Sequence, residues 1–156
     1  QESVTRVAAL LERLKALCDS GFALAIHIRY TRPSLLYRSY GPDWIETYSA
    51  KGYMLSDPVV HWGLTHTGWV DWADLTGQDP AGVLADAAAH GLRNGLTYAC
   101  GPASSRTITG FTRSTGPFTE SERAELQAIT EDLHAATEGI EQFDEETLAA
   151  LRALSG

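Results

Sequence analysis

Four side chains with polar tips crowd into one stretch, Tyr-Gly-Pro-Asp-Trp-Ile-Glu-Thr-Tyr-Ser-Ala-Lys-Gly-Tyr-Met-Leu-Ser-Asp-Pro at positions 40–58. Pro42 and Asp43 have the character of a helix start, since proline presets φ and an acid faces the helix dipole. A helix from there to about Ala50 puts Trp44 and Tyr48 on one face, with Tyr40 just ahead of it. With Asp57, after a glycine-containing break, the set is one indole N–H, two phenol O–H groups and one carboxylate. Buried together, these could fix a small ligand carrying carbonyls and an amide N–H. None of them is a nucleophile, so the chemistry is recognition. Each also has a plainer explanation: aromatics at helical spacing commonly pack a core, and Asp57-Pro58 is an N-cap followed by proline at N1. The two roles are compatible, because one carboxylate oxygen can cap while the other faces a ligand.

Other chemistries find less support. An enzyme would need a nucleophile and a base, such as Cys100 with His90 or His134, or a lactone hydrolase built on Asp57 and a histidine. The histidines at 27, 61, 66, 90 and 134 show no metal-ligand spacing, so no catalytic residue, metal or cofactor is assigned. A formal charge of −8 and a pI near 5.0 oppose direct contact with a phosphate backbone. Lys15 and Lys51 are the only lysines, and the ten arginines are scattered. Cys18 and Cys100 are isolated, as free buried thiols of a cytoplasmic protein would be. No apolar run reaches ~18 residues, so no membrane span or membrane partner is expected.

The elements that must position the aromatic set follow from periodicity. Val4, Val7, Leu10, Leu11, Leu14 and Leu17 make 3–19 an amphipathic helix. Phe22 to Tyr30 and Leu35 to Ser39 read as a hairpin, and Pro58 to about His66 as a helix capped by Asp57. Trp69-Val-Asp-Trp72 is a short extended piece whose tryptophans share a side only if it bends. Asp79-Pro80 opens a helix to Gly91, Leu96 to Cys100 and Arg106 to Arg113 are strands, and Thr119-Glu-Ser-Glu122 is a capping box starting a helix to about Ile140. Asp144 to Leu154 is a further helical piece. The order predicts an α/β (α+β) fold, an α-β-α sandwich with a central, mainly antiparallel five-stranded sheet. The first and last long helices would cover one face. The shorter middle helices would cover the other, with a pocket beneath them.

Tyr40, Trp44, Tyr48, Asp57-Pro58-Val59-Val60, Trp72, Ala-His-Gly-Leu-Arg-Asn-Gly-Leu-Thr at 89–97, and Thr112 together resemble the autoinducer-binding domain of LuxR-type quorum-sensing regulators, from about Val7 to Ile140. The resemblance implies a ligand, an N-acyl homoserine lactone, and a role for each residue. The Trp44 indole would donate to the lactone carbonyl, Asp57 would accept from the amide N–H, and Tyr40 would donate to the acyl carbonyl. Tyr48 would wall the acyl chain and Trp72 the lactone. Gly95 would be structural, and Thr112, matched across a one-residue gap, would supply a hydroxyl toward the amide carbonyl. Leu36, Ile45, Val59 and Val60 are candidate acyl-chain walls.

The physics agrees, since each unpaired buried polar group costs ~1–3 kcal/mol and each buried CH₂ contributes ~0.8 kcal/mol. The chain departs from its resemblance at Thr97-Tyr98-Ala99, where many relatives have proline and where Tyr98 could intrude on an acyl tunnel. Residues 1–142 are thus expected to be a ligand-sensing domain, and 143–156 a linker or the start of a C-terminal helix-turn-helix domain that would carry any DNA contact. A homodimer through the helix at 119–140 is expected, with ligand linked to folding. The alternatives are a sensor of the same fold for another small molecule, such as an aromatic-acyl lactone or a pyrone, and a lactone-acting enzyme.

Overall fold

The computed structural model describes residues 2–154. Helix α1 (Glu2–Leu17) leads into the hairpin β1 (Phe22–Arg29) and β2 (Arg32–Arg38). Then come α2 (Pro42–Ala50), a 3₁₀ turn Tyr53–Leu55, α3 (Pro58–Thr65), β3 (Gly68–Asp71) and a 3₁₀ segment Trp72–Gln78. Helix α4 (Val83–Ala89), β4 (Leu96–Cys100), β5 (Arg106–Phe111), α5 (Glu120–Ala136) and α6 (Glu145–Ala153) complete the chain. The strands form one sheet in the order β2-β1-β5-β4-β3, with every neighbouring pair antiparallel. This is the five-stranded α-β-α sandwich that the periodicity predicts.

The two faces of the sheet are packed differently. Phe22, Leu24 and Ile26 of β1 and Phe111 of β5 meet Leu10 and Leu14 of α1 and Leu126, Ile129 and Leu133 of α5 in one continuous core. On the opposite face β1 presents Ala23 and Ala25, and helices α2 to α4 bury only small separate clusters around Trp44, Val59 and Ile108. Small side chains on one side of a strand whose other side is large leave a gap under the covering helices. That gap is the cavity described below.

A bulge adjusts this alternation. Ala25 pairs with Ile108 but Ile28 with Arg106, so β1 carries one extra residue, and His27 takes φ +50° there. Its ring turns to α5 and lies 4.1 Å from that of His134. The His27 Nε2–H donates to the His134 carbonyl (2.8 Å), its Nδ1 lies 2.7 Å from the Ser105 hydroxyl, and the Thr107 hydroxyl lies 2.6 Å from His134 Nδ1.

Local chemistry accounts for the element ends. The Thr119–Glu122 capping box is present, and the Asp57 carboxylate accepts from Val59 N–H at 2.9 Å. Asp79-Pro80 does not itself begin α4. Asp79 reaches forward to the N–H groups of Val83 and Leu84 (2.9 and 2.8 Å), so the helix starts at Val83 behind left-handed Gly82. Helix α5 ends at Ala136, before the expected Ile140, because Thr137 turns its hydroxyl back to the Leu133 carbonyl and Gly139 adopts a left-handed conformation. Trp69 and Trp72 face opposite sides: Trp69 donates to Gln127 of α5, and Trp72 joins the α2–α4 side. Tyr98 also turns to α5, packing at a tilt against Trp69 and donating to Glu131 at 2.5 Å, so it stays out of any tunnel beneath α2 to α4. Within 143–156, α6 buries Leu151 in the main core and accepts the Tyr37 O–H on that residue's carbonyl. Gln1, Ser155 and Gly156, at the ends of the two expected segments, lie outside the described residues.

Arg106 is buried, and its guanidinium donates to three carbonyls: Gly101 (2.8 Å), Gly63 (2.9 Å) and His66 (2.8 Å). Two of these are at the C-terminal end of α3, where a cation also meets the negative end of the helix dipole. Arg106→Met leaves those carbonyls without their donor and should cost about 3 kcal/mol in urea unfolding. Burial and the neighbouring His27 hold the His134 pKa below its ordinary value, with Glu138 acting weakly the other way. The unfolded chain therefore takes up a proton first as pH falls below about 6.5. The contribution of this group to stability should decline from pH 7 toward pH 5.5, and His134→Asn should remove that part of the slope in melts recorded across the range.

Candidate ligand-binding site

A cavity of about 390 Å³ lies between the sheet and helices α2, α3 and α4. Tyr40, Trp44, Tyr48, Asp57 and Trp72 all line it, as do Leu36, Ile45, Val59 and Val60. Thr112 does not. It lies beyond the end of β5, and its buried hydroxyl donates to the Gly21 carbonyl at 2.7 Å.

The polar tips are arranged by a short relay. Asp57 Oδ1 caps α3 while Oδ2 accepts the Tyr48 O–H at 2.7 Å, so a carboxylate at the start of one helix is tied to a phenol near the end of another. Burial raises the Asp57 pKa despite the hydrogen bonds from Tyr48 and from the Val59 and Val60 N–H groups, and nearby Asp79 adds to the rise. The Tyr40 and Tyr48 phenols are pushed well above the ordinary range, first by burial and then by the Asp57 charge, so both remain donors. Tyr40 has only a long contact to the Gly110 carbonyl, 3.4 Å. The Trp44 indole N–H has no protein acceptor among the described residues. No fully buried side-chain nitrogen or oxygen there is left unpaired, so this N–H is accessible, on a residue that lines the cavity. Trp72 differs, because its N–H is taken by Thr97 Oγ1 at 2.9 Å and it offers the cavity only its ring.

Neighbours fix these rings. Trp44 sits among Tyr48, Tyr53 and His90, with ring centroids 5.8, 5.9 and 5.1 Å away. Asp86 of α4 accepts from Tyr53 (2.5 Å) and Lys51 (3.0 Å), which fastens α4 to the end of α2. Two glycines allow the aromatics to approach the sheet. A Cβ on Gly110 would stand 2.9 Å from the Tyr40 oxygen and 3.2 Å from the Trp72 ring, and one on Gly95 would lie 2.0 Å from that ring. Gly95 is structural in just this sense.

Several lining residues lie outside the set expected from the sequence: Ala23, Ala25, Ile108 and Gly110 on the sheet, Val83, Leu84 and Ala87 from α4, and Met54 and Leu55 from the 3₁₀ turn. Two signals were there to be read. Alanines alternate with large residues along β1, and Gly110 stands inside a strand pattern, which marks close approach. A second, more open cleft of about 740 Å³ lies beyond Trp72 and shares that residue and Leu84 with the cavity. It gathers none of the free polar tips, and Arg123 beside it is paired with Asp71. The thiol required by an enzyme is unsuited to the role: burial pushes Cys100 up to about 11, away from a thiolate. His90 and His134 are engaged with Asp86 and with His27 and Thr107, respectively.

Comparison with known proteins gives a consistent result. The family described as "Autoinducer binding domain" matches residues 6–137. The regulatory protein SdiA of Escherichia coli (strain K12) is 32% identical over 71 residues, which is 45% of this chain and 30% of SdiA. A solved structure of SdiA in complex with octanoyl-rac-glycerol has a TM-score of 0.69 at 21% identity, covering 94% of this chain and 67% of that one. CepR2 from Burkholderia cenocepacia, described as an N-acylhomoserine lactone dependent LuxR-family transcription factor, has a TM-score of 0.59 at 18% identity, covering 88% and 94%. At these identities the structures establish a shared fold.

Because the folded Asp57 pKa is raised, an ionised Asp57 costs the protein stability as pH rises through the window above the unfolded value. Asp57→Asn keeps a cap acceptor and removes that cost, so the unliganded variant should melt no lower than the parent at pH 7. Gly95→Ala should instead lower the midpoint by several degrees, because the new methyl must displace Trp72.

Proposed function

The chain belongs to the autoinducer-binding domain family of LuxR-type regulators, and on that premise we propose that it senses an N-acyl homoserine lactone held in the cavity under α2, α3 and α4. The observation that supports this is that Trp44, Tyr40 and Asp57, whose side chains carry an N–H, an O–H and a carboxylate, line one largely apolar cavity. A homoserine lactone amide offers two carbonyls and one N–H, and two donors and one acceptor match it without leaving a buried polar group unpaired. Trp44 donates to the lactone carbonyl, Tyr40 to the acyl carbonyl, and Asp57 accepts the amide N–H. Tyr48 holds the Asp57 carboxylate and walls the acyl chain with Leu36, Ile45, Val59 and Val60, while the Trp72 ring backs the lactone. The site has no catalytic role.

Ligand in this cavity would stabilise the folded domain by mass action, by about 2.7 kcal/mol at a hundredfold excess over Kd. That would raise the amount of folded protein and of its homodimer in the cytoplasm. Helix α5 is the proposed seam, since Ala124, Ala128 and Ala135 are exposed along its outer side and small enough for a second copy to approach. DNA contact would belong to a C-terminal helix-turn-helix domain. A second reading keeps the fold and changes the head group. SdiA has been solved with octanoyl-rac-glycerol, and an acylglycerol would place a hydroxyl where the amide N–H donates to Asp57.

Thermal melting with an acyl homoserine lactone series and with octanoylglycerol tests the two readings together. A rise in the midpoint with lactones that exceeds the rise with acylglycerol is expected. Trp44→Phe should weaken lactone binding roughly tenfold or more, since one buried carbonyl loses its donor. Binding unchanged in both Trp44→Phe and Asp57→Asn would mean that the head group lies elsewhere.

A further inference from the structure

Large apolar side chains are sparingly exposed on this protein. Among the described residues they are Tyr30, Leu36 at 50%, Met54 at 48% and Leu55 at 82%, and the last three all line the cavity. Leu36 projects from the edge strand β2, and Met54 and Leu55 from the 3₁₀ turn that follows α2. The cavity therefore opens to solvent between the sheet edge and that turn, through a rim that is apolar where a surface would ordinarily be polar. Arg38 and His61 border the same opening. The Arg38 guanidinium forms no ion pair among the described residues, and the His61 ring is turned to the Leu55 carbonyl at 2.9 Å.

Toward β5 the cavity is bounded by packed side chains. Ile28, Leu64 and Ile108 form its wall there, and α3 is pressed so closely on β5 that a Cβ on Gly63 would lie 2.5 Å from Ile108 Cδ1. Thr31 and Pro33 also line the cavity at the β1–β2 turn, but its exposed large apolar side chains are Leu36, Met54 and Leu55, and these mark the apolar direction open to an acyl chain whose head is fixed at Trp44 and Asp57.

We propose that this site selects long, flexible acyl chains, whose distal carbons leave the cavity through the exit formed by Leu36, Met54 and Leu55 and cover those three side chains. The proposal rests on the acyl-lactone reading and specifies the ligand class within it. Chain length is then limited by the reach of the apolar rim and not by a closed floor. Met54 suits such a position, because an unbranched thioether adapts to chains of differing length.

The test is a titration of the wild-type domain with butanoyl-, octanoyl-, dodecanoyl- and tetradecanoyl-homoserine lactone, followed by calorimetry or tryptophan fluorescence. Each further buried CH₂ should tighten binding about fourfold at first. The gain should diminish once carbons reach the exit, with tetradecanoyl binding at least as tightly as octanoyl. Leu55→Ser and Leu36→Ser should each lower the ratio of tetradecanoyl to octanoyl affinity by about threefold or more. A tetradecanoyl affinity a hundredfold below that of octanoyl would show a closed end and overturn the proposal while leaving the lactone reading in place. A ratio unmoved by both serine variants would overturn it as well. Failure of every chain length, octanoyl included, would remove the lactone reading itself, and the proposal with it.

Discussion

A carboxylate held inside a protein without a cation beside it must be solvated by something else, and around Asp57 that requirement organises the structure. One of its oxygens takes an N–H from the first turn of α3, the other takes the Tyr48 hydroxyl from α2, and no ion pair reaches it among the described residues. These two bonds set the distance between the start of one helix and the end of another. Trp44 and Tyr40 then follow, since they lie on or just before the helix that carries Tyr48. Burial still raises the pKa of the group, so the solvation it receives is incomplete. An additional donor from within the cavity would lower that cost, and this is the physical link between recognition and stability in the proposed function.

The sandwich divides labour between its faces. Against α1 and α5, β1 turns phenylalanine, leucine and isoleucine, and the core there is continuous. Against α2 to α4 it turns alanine, and the apolar groups are dispersed around a space. Residues that could have intruded are diverted: Tyr98 and Trp69 point to α5, where each has a polar partner for its tip. A dense face supplies the rigidity that lets the other face be underfilled without collapse.

Much of this was legible in the chain itself. The spacing of Trp44 and Tyr48, the cap at Asp57, the capping box at Thr119 and the strand alternation are local signals, and local physics decides them. The residues that bear the polar tips line one cavity because they sit on or just before two helices whose faces were already marked by periodicity. Where the sequence misled, long-range contacts were in control. Thr112 looked like a strand hydroxyl available to a ligand, but it lies past the end of β5 and is claimed by a carbonyl 91 residues away. Trp72 kept its wall position, yet its donor is taken by Thr97 from the neighbouring strand. The start of α4 moved because a single aspartate capped it from several residues upstream. Met54 and Leu55 carry no periodic signal in a three-residue turn, and their place on the cavity is set by the tertiary fold.

Helix α3 is fastened at both ends, by Asp57 at its first turn and by the Arg106 guanidinium on the carbonyls of Gly63 and His66 at its last. A wall so anchored is a poor place for evolutionary retuning, because a substitution that moved it would strain the cap or the clamp. The turn bearing Met54 and Leu55 and the edge strand bearing Leu36 have no such anchors on their outward side chains. Divergence in signal preference among descendants of this domain should therefore accumulate along that margin, while the helix opposite remains a fixed reference against which each new ligand is measured.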